Sequence, residues 1–143
     1  MRVKVPYGSD EIDFSVPEGC LREILSPQKI EGAENVEYLV EQAIDNPIGS
    51  GKLHEIIKPW HKVNILCDDI SRPTPADKIL GILTQKLRKI GVDKNNIKIV
   101  MALGSHRYMT KNEMIKKVGV DIYNEYRVVN SEFRNDDDLV DLG

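Results

Sequence analysis

Alternating apolar and polar residues near the N-terminus predict a β-hairpin. Residues 2–6 form its first strand and residues 10–16 its second, with Tyr7-Gly8-Ser9 as the turn. The apolar positions of the second strand are Ile12, Phe14 and Val16. Their period of two predicts a strand with one half-buried face. Prolines and glycines interrupt residues 17–34, which are predicted to form a loop.

The apolar spacing then changes to that of an amphipathic helix. Apolar residues recur at intervals of three and four over 36–44, directly after Asn35. Pro47 ends this helix, because the residue before a proline is disfavoured in helical geometry. His54 and His61 lie in the polar connector that follows, and both are interpreted as surface residues without a special role.

A first strand–helix unit comes next. It has a short apolar strand at 63–67 and a helix face over 76–90 that ends at Gly91. Thr74 and Asp77 have the spacing of a capping box, with a proline between them at the first helical position. A buried strand, a polar loop and a helix are therefore predicted in direct succession.

A second unit repeats this order, with a strand at 97–102 and a helix that starts at Thr110. Glu113 completes its capping box, Gly119 ends it, and a third strand is predicted at 126–129. Strands that alternate with helices form parallel sheets with right-handed crossovers. The predicted fold class is α/β, with a mainly parallel, Rossmann-like sheet, flanking helices and an N-terminal β-hairpin.

Composition narrows the class of protein. The chain has 143 residues and a formal net charge of −3, so it lacks the basic balance of a nucleic-acid-binding protein. Its two cysteines cannot form the disulfide framework of a small secreted domain. No segment resembles a signal peptide, and the apolar runs are too short to cross a membrane. We therefore expect one cytoplasmic domain over 1–143 that binds neither nucleic acid nor membranes.

Two polar loops follow the carboxyl ends of the first two apolar strands, where ligands bind in parallel sheets. The first loop holds Asp69 and Arg72, and prolines on both sides of Thr74 stiffen it. A guanidinium held in this way can clamp a carboxylate or phosphate. The second loop holds His106, which beside a carboxylate has the chemistry of a general base. The alternatives are an Asp–Arg surface pair and a histidine that bonds only to loop backbone.

Other motifs carry less information. The three histidines and two cysteines are too scattered to predict a metal site, and Cys67 is interpreted as a small packed thiol. Gly49-Ser50-Gly51-Lys52 lacks the spacing of a phosphate-binding P-loop. The sequence pattern alone therefore predicts an α/β domain with a polar crevice that contains Asp69, Arg72 and His106.

The two polar loops form a more specific pair of motifs when they are taken together. They contain Asp69-Ile70-Ser71-Arg72-Pro73-Thr74-Pro75 and Gly104-Ser105-His106-Arg107. In this order and at this separation they resemble the N-terminal domain of the lactate racemase family. Asn46-Pro47-Ile48-Gly49-Ser50 and Pro6-Tyr7-Gly8 resemble it as well, so the resemblance runs over nearly the whole chain.

This resemblance implies an enzyme that interconverts the stereoisomers of a 2-hydroxy acid with a nickel-pincer nucleotide. A hydride leaves the substrate C2 for the cofactor and returns to the other face, while histidines handle the hydroxyl proton. His106 matches the first of these histidines, Arg72 matches a residue that faces the substrate carboxylate or nearby anionic groups, and Asp69 matches one that orients either of them. Ser71 and Thr74 are assigned to the cofactor phosphate, on the physics of a helix N-terminus.

The resemblance also places part of the site outside this sequence. The second histidine, the lysine that tethers the cofactor and the histidine that ligates nickel have no counterparts here, and residues 139–143 resemble the start of another strand. Tyr108 stands where a proline is common, and Asn130-Ser131-Glu132 stands where many relatives have a His-Asp pair. We therefore expect this chain to be a fragment whose partners are the rest of the same protein and a small 2-hydroxy acid.

Two other functions are compatible with the sequence. One is a stand-alone domain that binds a hydroxy acid or nucleotide through Arg72 without catalysis. Binding that is abolished by Arg72→Ala but unaffected by His106→Ala would favour it. The other is a non-enzymatic module with an unpaired sheet edge that another chain completes. Oligomers that depend on concentration would favour this second alternative.

The 143-residue chain by itself is predicted to bind little or no nickel and to lack racemase activity, because the implied nickel ligand and tethering lysine have no counterparts in it. Elemental analysis of the purified chain and a chiral assay with D- and L-lactate measure the two properties. Stoichiometric nickel together with turnover in this chain would contradict the prediction.

Overall fold

The computed structural model describes residues 1–8, 10–32 and 34–141. The chain forms two compact units, one that ends at Gly32 and one that occupies the rest of the sequence. The first holds a pair of antiparallel strands, and the second holds a three-stranded parallel sheet with helices. The predicted α/β class, with a mainly parallel sheet, helices and an N-terminal hairpin, is confirmed.

The first unit is the predicted β-hairpin. Strand β1 (Arg2–Tyr7) pairs antiparallel with β2 (Asp10–Ser15), and Ser9 of the turn lies outside the described residues. Ile12 and Phe14 remain 42% and 46% exposed, so the prediction of a half-buried face is wrong for these two side chains. The reason is that two strands have no second layer of their own to cover an apolar face.

Two helices precede the parallel sheet. Helix α1 (Val36–Asp45) begins after Asn35, whose side chain accepts a backbone hydrogen bond at 2.8 Å, and it ends before Pro47 as predicted. Helix α2 (Leu53–Ile56) lies in the stretch that was predicted to be a connector. Its four residues make a single turn, which is too short to produce a periodic apolar pattern.

The second unit is built on three parallel strands. They are β3 (Val63–Asp68), β4 (Ile97–Ala102) and β5 (Arg127–Asn130), in that spatial order. The helices between them are α3 (Ala76–Ile90), α4 (Lys111–Val118) and α5 (Val120–Glu125). One 3₁₀ turn, Lys94–Asn96, precedes β4, and another, Asp136–Asp138, follows β5. No helix among the residues described is both long and apolar enough to cross a bilayer.

The three later helices pack on one face of the sheet. Each crossover advances by one strand in the same direction, so right-handed connections put α3, α4 and α5 on the same side. Alternate residues of β4 are buried there in one apolar cluster with α3 and α4, made by Ile97, Ile99, Met101, Leu87 and Val118. On β3, Leu66 points to the opposite face and is 73% exposed.

The start of α3 differs from its prediction. Pro75 takes the N-cap position, and no side chain caps the helix. The Thr74 hydroxyl instead donates a hydrogen bond of 2.5 Å to Asp68 Oδ2, so the predicted Thr74–Asp77 capping box is wrong. In a capping box the Thr74 oxygen would accept a helix amide, but Pro75 occupies the N-cap position and the hydroxyl bonds to the strand-end carboxylate instead. The second predicted box, between Thr110 and Glu113, is confirmed at the start of α4.

The chain after α4 contains a helix that the sequence pattern did not predict. Gly119 ends α4 as expected, but its φ of 86° redirects the backbone and α5 starts at once. β5 then begins at Arg127, one residue later than predicted. Residues 139–141 of the predicted final strand are not in a strand, and 142–143 lie outside the described residues.

Truncating the core side chain of Leu87 should destabilise the second unit strongly. Leu87 of α3 is 1% exposed within the apolar cluster, so Leu87→Ala is expected to lower the free energy of unfolding by about 3 kcal/mol. Leu66→Ala is the matched control, because the same truncation at an exposed position should cost less than about 1 kcal/mol. Urea denaturation followed by circular dichroism measures both, and equal losses would contradict this assignment of the core.

Candidate active site

Asp69 and His106 meet at one edge of the parallel sheet. Asp69 directly follows β3, and His106 lies in the loop that follows β4. The strands are adjacent, with Asp68 in register with Ala102, so their carboxyl ends open at the same place. There the Asp69 Oδ2 atom contacts the His106 Nδ1 atom. The strand pairing therefore brings together two residues that are 37 positions apart in the sequence.

Hydrogen bonds hold the Asp69 carboxylate in place. Asp69 is 6% exposed, and its Oδ1 accepts the Ser71 amide at 2.9 Å and the Ser71 hydroxyl at 2.5 Å. These bonds from Ser71, followed by the contact with His106, lower the pKa of Asp69 from 3.8 to about 2. Asp69 is therefore a carboxylate at neutral pH.

The contact with Asp69 orients the His106 ring. Because the carboxylate occupies Nδ1, Nε2 is the ring nitrogen that remains for another partner. The His106 side chain is 57% exposed, so a small molecule can reach it. A buried carboxylate behind an accessible imidazole is an arrangement suited to general acid–base chemistry.

Arg72 lies beside this pair and keeps its guanidinium free. It lines a crevice of about 280 Å³ together with Asp69 and His106. Among the described residues, no side chain or backbone group forms a hydrogen bond or ion pair with this guanidinium; the hydrogen bonds of Arg72 are made by its backbone amide and carbonyl. The sequence left open whether Asp69 orients His106 or Arg72. The structure shows a side-chain contact of Asp69 with His106 and none with Arg72.

Crevice size alone would point to another region. A larger groove, about 760 Å³, lies along α3 and residues 118–126 and is lined by no histidine or cysteine. Asp69 and His106 line a second crevice of about 320 Å³ in addition to the one shared with Arg72. The two smaller crevices hold the titratable groups whose geometry supports chemistry, and they are the better candidates.

The hydroxyl groups assigned to a cofactor phosphate are already engaged. Ser71 donates its only hydroxyl proton to Asp69, and Thr74 donates its own to Asp68. In this arrangement neither hydroxyl has a proton to donate to a phosphate oxygen. No group of three or more His, Cys, Asp or Glu in the described part of the chain is placed to hold a metal ion. The described residues thus do not by themselves form a site that fits a nickel nucleotide.

The end of β5 supports the loop that carries His106. Asn130 accepts a hydrogen bond from the Met109 amide at 3.2 Å and donates one to the Met109 carbonyl at 3.0 Å. The Ser131 hydroxyl accepts the Leu103 amide at 3.2 Å. These supporting residues were not identified from the sequence, although their position after a third parallel strand was a usable signal.

One ion pair and one further side-chain hydrogen bond stiffen the same loop. Arg107 forms a bidentate pair with Glu113 at 2.6 and 2.9 Å, which lowers the pKa of that carboxyl to about 2. The Tyr108 hydroxyl donates to Glu132 at 2.6 Å, and this bond, together with the backbone amides of Phe133 and Arg134, lowers the pKa of Glu132 to about 2. Arg107 is therefore paired, which leaves Arg72 as the cation available in the crevice.

Comparison with known proteins gives one consistent family. The family described as lactate racemase N-terminal domain matches residues 7–143. Lactate racemase of Lactiplantibacillus plantarum is 38% identical over 104 residues, which cover 73% of this chain and 24% of that protein. Lactate racemase of Thermoanaerobacterium thermosaccharolyticum is 30% identical over 145 residues, which cover 99% of this chain and 33% of that protein. The chain thus spans about a quarter to a third of the length of these relatives.

Solved structures agree with the sequence matches. The apoprotein of the T. thermosaccharolyticum lactate racemase superposes with a TM-score of 0.74 at 29% identity, over 96% of this chain and 31% of that one. A Thermotoga maritima protein superposes with a TM-score of 0.56 at 27% identity, over 76% of this chain and 24% of that one.

Replacing Asp69 should weaken the dependence of stability on acid pH. A carboxyl whose pKa is about 2 when folded and near 3.8 when unfolded stabilises the fold above about pH 4, and this contribution disappears as the pH falls through 2. Asp69→Asn should therefore remove on the order of 2 kcal/mol of the stability change between pH 5 and pH 2. Chemical denaturation across this range measures the change.

Ser71→Ala is the matched variant for this measurement. It removes the hydroxyl that donates to Asp69 Oδ1 but leaves the charge of Asp69 in place, so the pH dependence of Ser71→Ala should fall between those of the parent and Asp69→Asn. Glu113 and Glu132 contribute a common background in all three proteins. Identical pH profiles for the parent and Asp69→Asn would show that the carboxylate does not hold these bonds in solution.

Proposed function

The chain belongs to the lactate racemase family, whose N-terminal domain it matches over residues 7–143, and on this premise we propose that it is the N-terminal catalytic portion of a racemase or epimerase of lactate or another 2-hydroxy acid. The observation that carries the proposal is the contact between the buried Asp69 carboxylate and His106, beside the free guanidinium of Arg72. Because the chain spans a third or less of its relatives, the activity of the whole protein is part of the proposal.

His106 acts on the hydroxyl proton of the substrate. Asp69 holds the ring through Nδ1, so Nε2 takes the proton from the C2 hydroxyl when that carbon is oxidised and gives it back when the carbon is reduced. The carboxylate also stabilises the imidazolium that forms in between. One histidine on one side of the substrate serves one stereoisomer, so the second stereoisomer needs a second acid–base group elsewhere in the complete enzyme.

Arg72 binds the substrate carboxylate. A guanidinium donates two parallel hydrogen bonds to a carboxylate, which fixes both the distance and the plane of the bound group. Its place in the same crevice as His106 suits a molecule in which a carboxylate and a hydroxyl are on adjacent carbons. This spacing is the property that 2-hydroxy acids share.

In the proposed function, the hydride acceptor is a nickel-pincer nucleotide bound by the complete enzyme. We assign no residue of this chain to nickel, since the described residues offer no three-residue ligand group. A phosphate role for Ser71 and Thr74 remains a prediction that requires their hydroxyls to exchange partners. We further propose that residues 1–143 form one N-terminal domain of a cytoplasmic protein whose remaining part completes the site.

The proposal is tested on the complete protein, isolated with its cofactor and assayed with both lactate enantiomers and other 2-hydroxy acids. His106→Gln should lower kcat by roughly 100-fold or more, because it removes the acid–base group. Arg72→Lys should mainly raise KM, because an ammonium group cannot make the bidentate contact. His54→Gln on α2 is the matched control and should leave both constants unchanged.

The same variants separate this proposal from the anion-binding alternative. Full turnover by His106→Gln would exclude an acid–base role for that residue. Binding of a 2-hydroxy acid without racemisation, abolished by Arg72→Ala and insensitive to His106→Ala, would identify a binding domain instead.

A further inference from the structure

Lys117 is a buried cation that the proposed reaction does not use. It lies near the C-terminal end of α4, where its residue as a whole is 5% exposed and its side chain 3%. The preceding residue, Lys116, is exposed, as is usual for a lysine. Burial of an ammonium group is costly unless its donors are paired, so the contacts of Lys117 call for an explanation.

All three donors of the Lys117 ammonium are directed at the loop after β3. Nζ lies 2.9 Å from Asp68 Oδ1 and donates to the Arg72 carbonyl at 2.8 Å and to the Thr74 carbonyl at 3.3 Å. An ammonium group has three hydrogen-bond donors, and these contacts use every one. The three acceptors extend from the last residue of β3 to Thr74, two residues before α3 begins. Lys117 therefore ties together both ends of the segment that contains Asp69.

The two carbonyl acceptors occupy special positions in the chain. Arg72 and Thr74 each precede a proline, which has no amide to donate. Among the described residues, Lys117 is the donor that bonds to the Arg72 carbonyl. The Thr74 carbonyl also accepts the Ala76 amide at 2.8 Å, so Lys117 is its second donor.

Asp68 completes the network from the side of the strand. Burial alone would raise the pKa of Asp68, but hydrogen bonds from Thr74 and Lys117 outweigh it and hold the pKa below its ordinary value. One carboxylate oxygen contacts Lys117, and the other accepts the Thr74 hydroxyl at 2.5 Å. Asp68 and Lys117 therefore form a charge pair that closes the loop on itself.

We propose that Lys117 is a positioning residue, whose ammonium group holds the loop 68–74 in the conformation that places Asp69 against His106 and leaves Arg72 facing the crevice. Lys117 contacts neither His106 nor the crevice, so it acts only through the loop. The inference deepens the proposed function and rests on it only in treating the Asp69–His106 pair as the catalytic unit.

The test removes the charge pair as a unit. Lys117→Met alone leaves Asp68 without its cation and can prevent folding, so the main variant is Lys117→Met combined with Asp68→Asn. Two properties of the loop are followed by nuclear magnetic resonance: titration of the Asp69 side-chain carboxyl carbon, and hydrogen exchange of the Ser71 amide, which bonds to Asp69 Oδ1 at 2.9 Å. Both measurements use the 143-residue chain without substrate or turnover.

In the double variant, the titration midpoint of Asp69 is expected to rise from about 2 toward 3.8, because the hydrogen bonds that lower its pKa are no longer held. The Ser71 amide should exchange at least about ten times faster, because the loop can then open without unfolding of the core. The Ile99 amide, in the central strand, should keep its parental exchange rate.

Two controls distinguish positioning from a general loss of stability. Lys116→Met removes an exposed charge from the same helix and should change neither the titration nor the exchange. Leu87→Ala destabilises the core without touching the loop, so it should accelerate Ser71 and Ile99 together and leave the Asp69 midpoint near 2.

Either of two results would overturn the inference. One is a folded double variant in which the Asp69 midpoint and the Ser71 exchange rate are both unchanged. The other is a variant in which Ser71 and Ile99 accelerate by the same factor, as in Leu87→Ala. Since these readouts do not depend on catalysis, a failure of the racemase proposal would leave them interpretable, and their failure would leave the racemase proposal standing.

Discussion

The parallel pairing of β3 with β4 is the constraint on which the rest of the site depends. Its register sets Asp68 opposite Ala102, so the loop that starts at Asp69 opens beside the loop that contains His106. A shift of this register by one residue would turn the buried positions of β4 toward the open face and separate the two loops. The apolar cluster that stabilises the sheet therefore also determines where the polar residues meet.

The consecutive residues Asp68 and Asp69 show how one short segment serves two purposes. Successive side chains at the end of a strand point in opposite directions, so the two carboxylates enter different surroundings. Asp68 pairs with Lys117 and Thr74 and closes the loop, whereas Asp69 accepts bonds from Ser71 and faces His106. Of these two adjacent residues, Asp68 thus supports the loop and Asp69 contacts the histidine.

Short-range sequence patterns predicted the elements that are determined by residues close together in the chain. The hairpin, α1, the two later crossovers and the capping box at Thr110 follow from periodicity and turn chemistry, and the resemblance of the two loops identified the family. Features that depend on distant contacts were missed or predicted incorrectly. Thr74 bonds to Asp68 and does not cap α3 as expected. Lys117 is buried where backbone carbonyls 43 to 45 positions away accept its hydrogen bonds. No spacing rule encodes such a contact.

The hydrogen-bonded aspartates also set the balance of charge at the sheet edge. Asp68, Asp69, Lys117 and Arg72 carry two negative and two positive charges, so these four groups together are neutral. At long range the charge of Arg72 is therefore cancelled, and its attraction for a carboxylate acts only at short distance. In the proposed function the crevice would select a hydroxy acid by its fit to the guanidinium and would not draw anions in from solution.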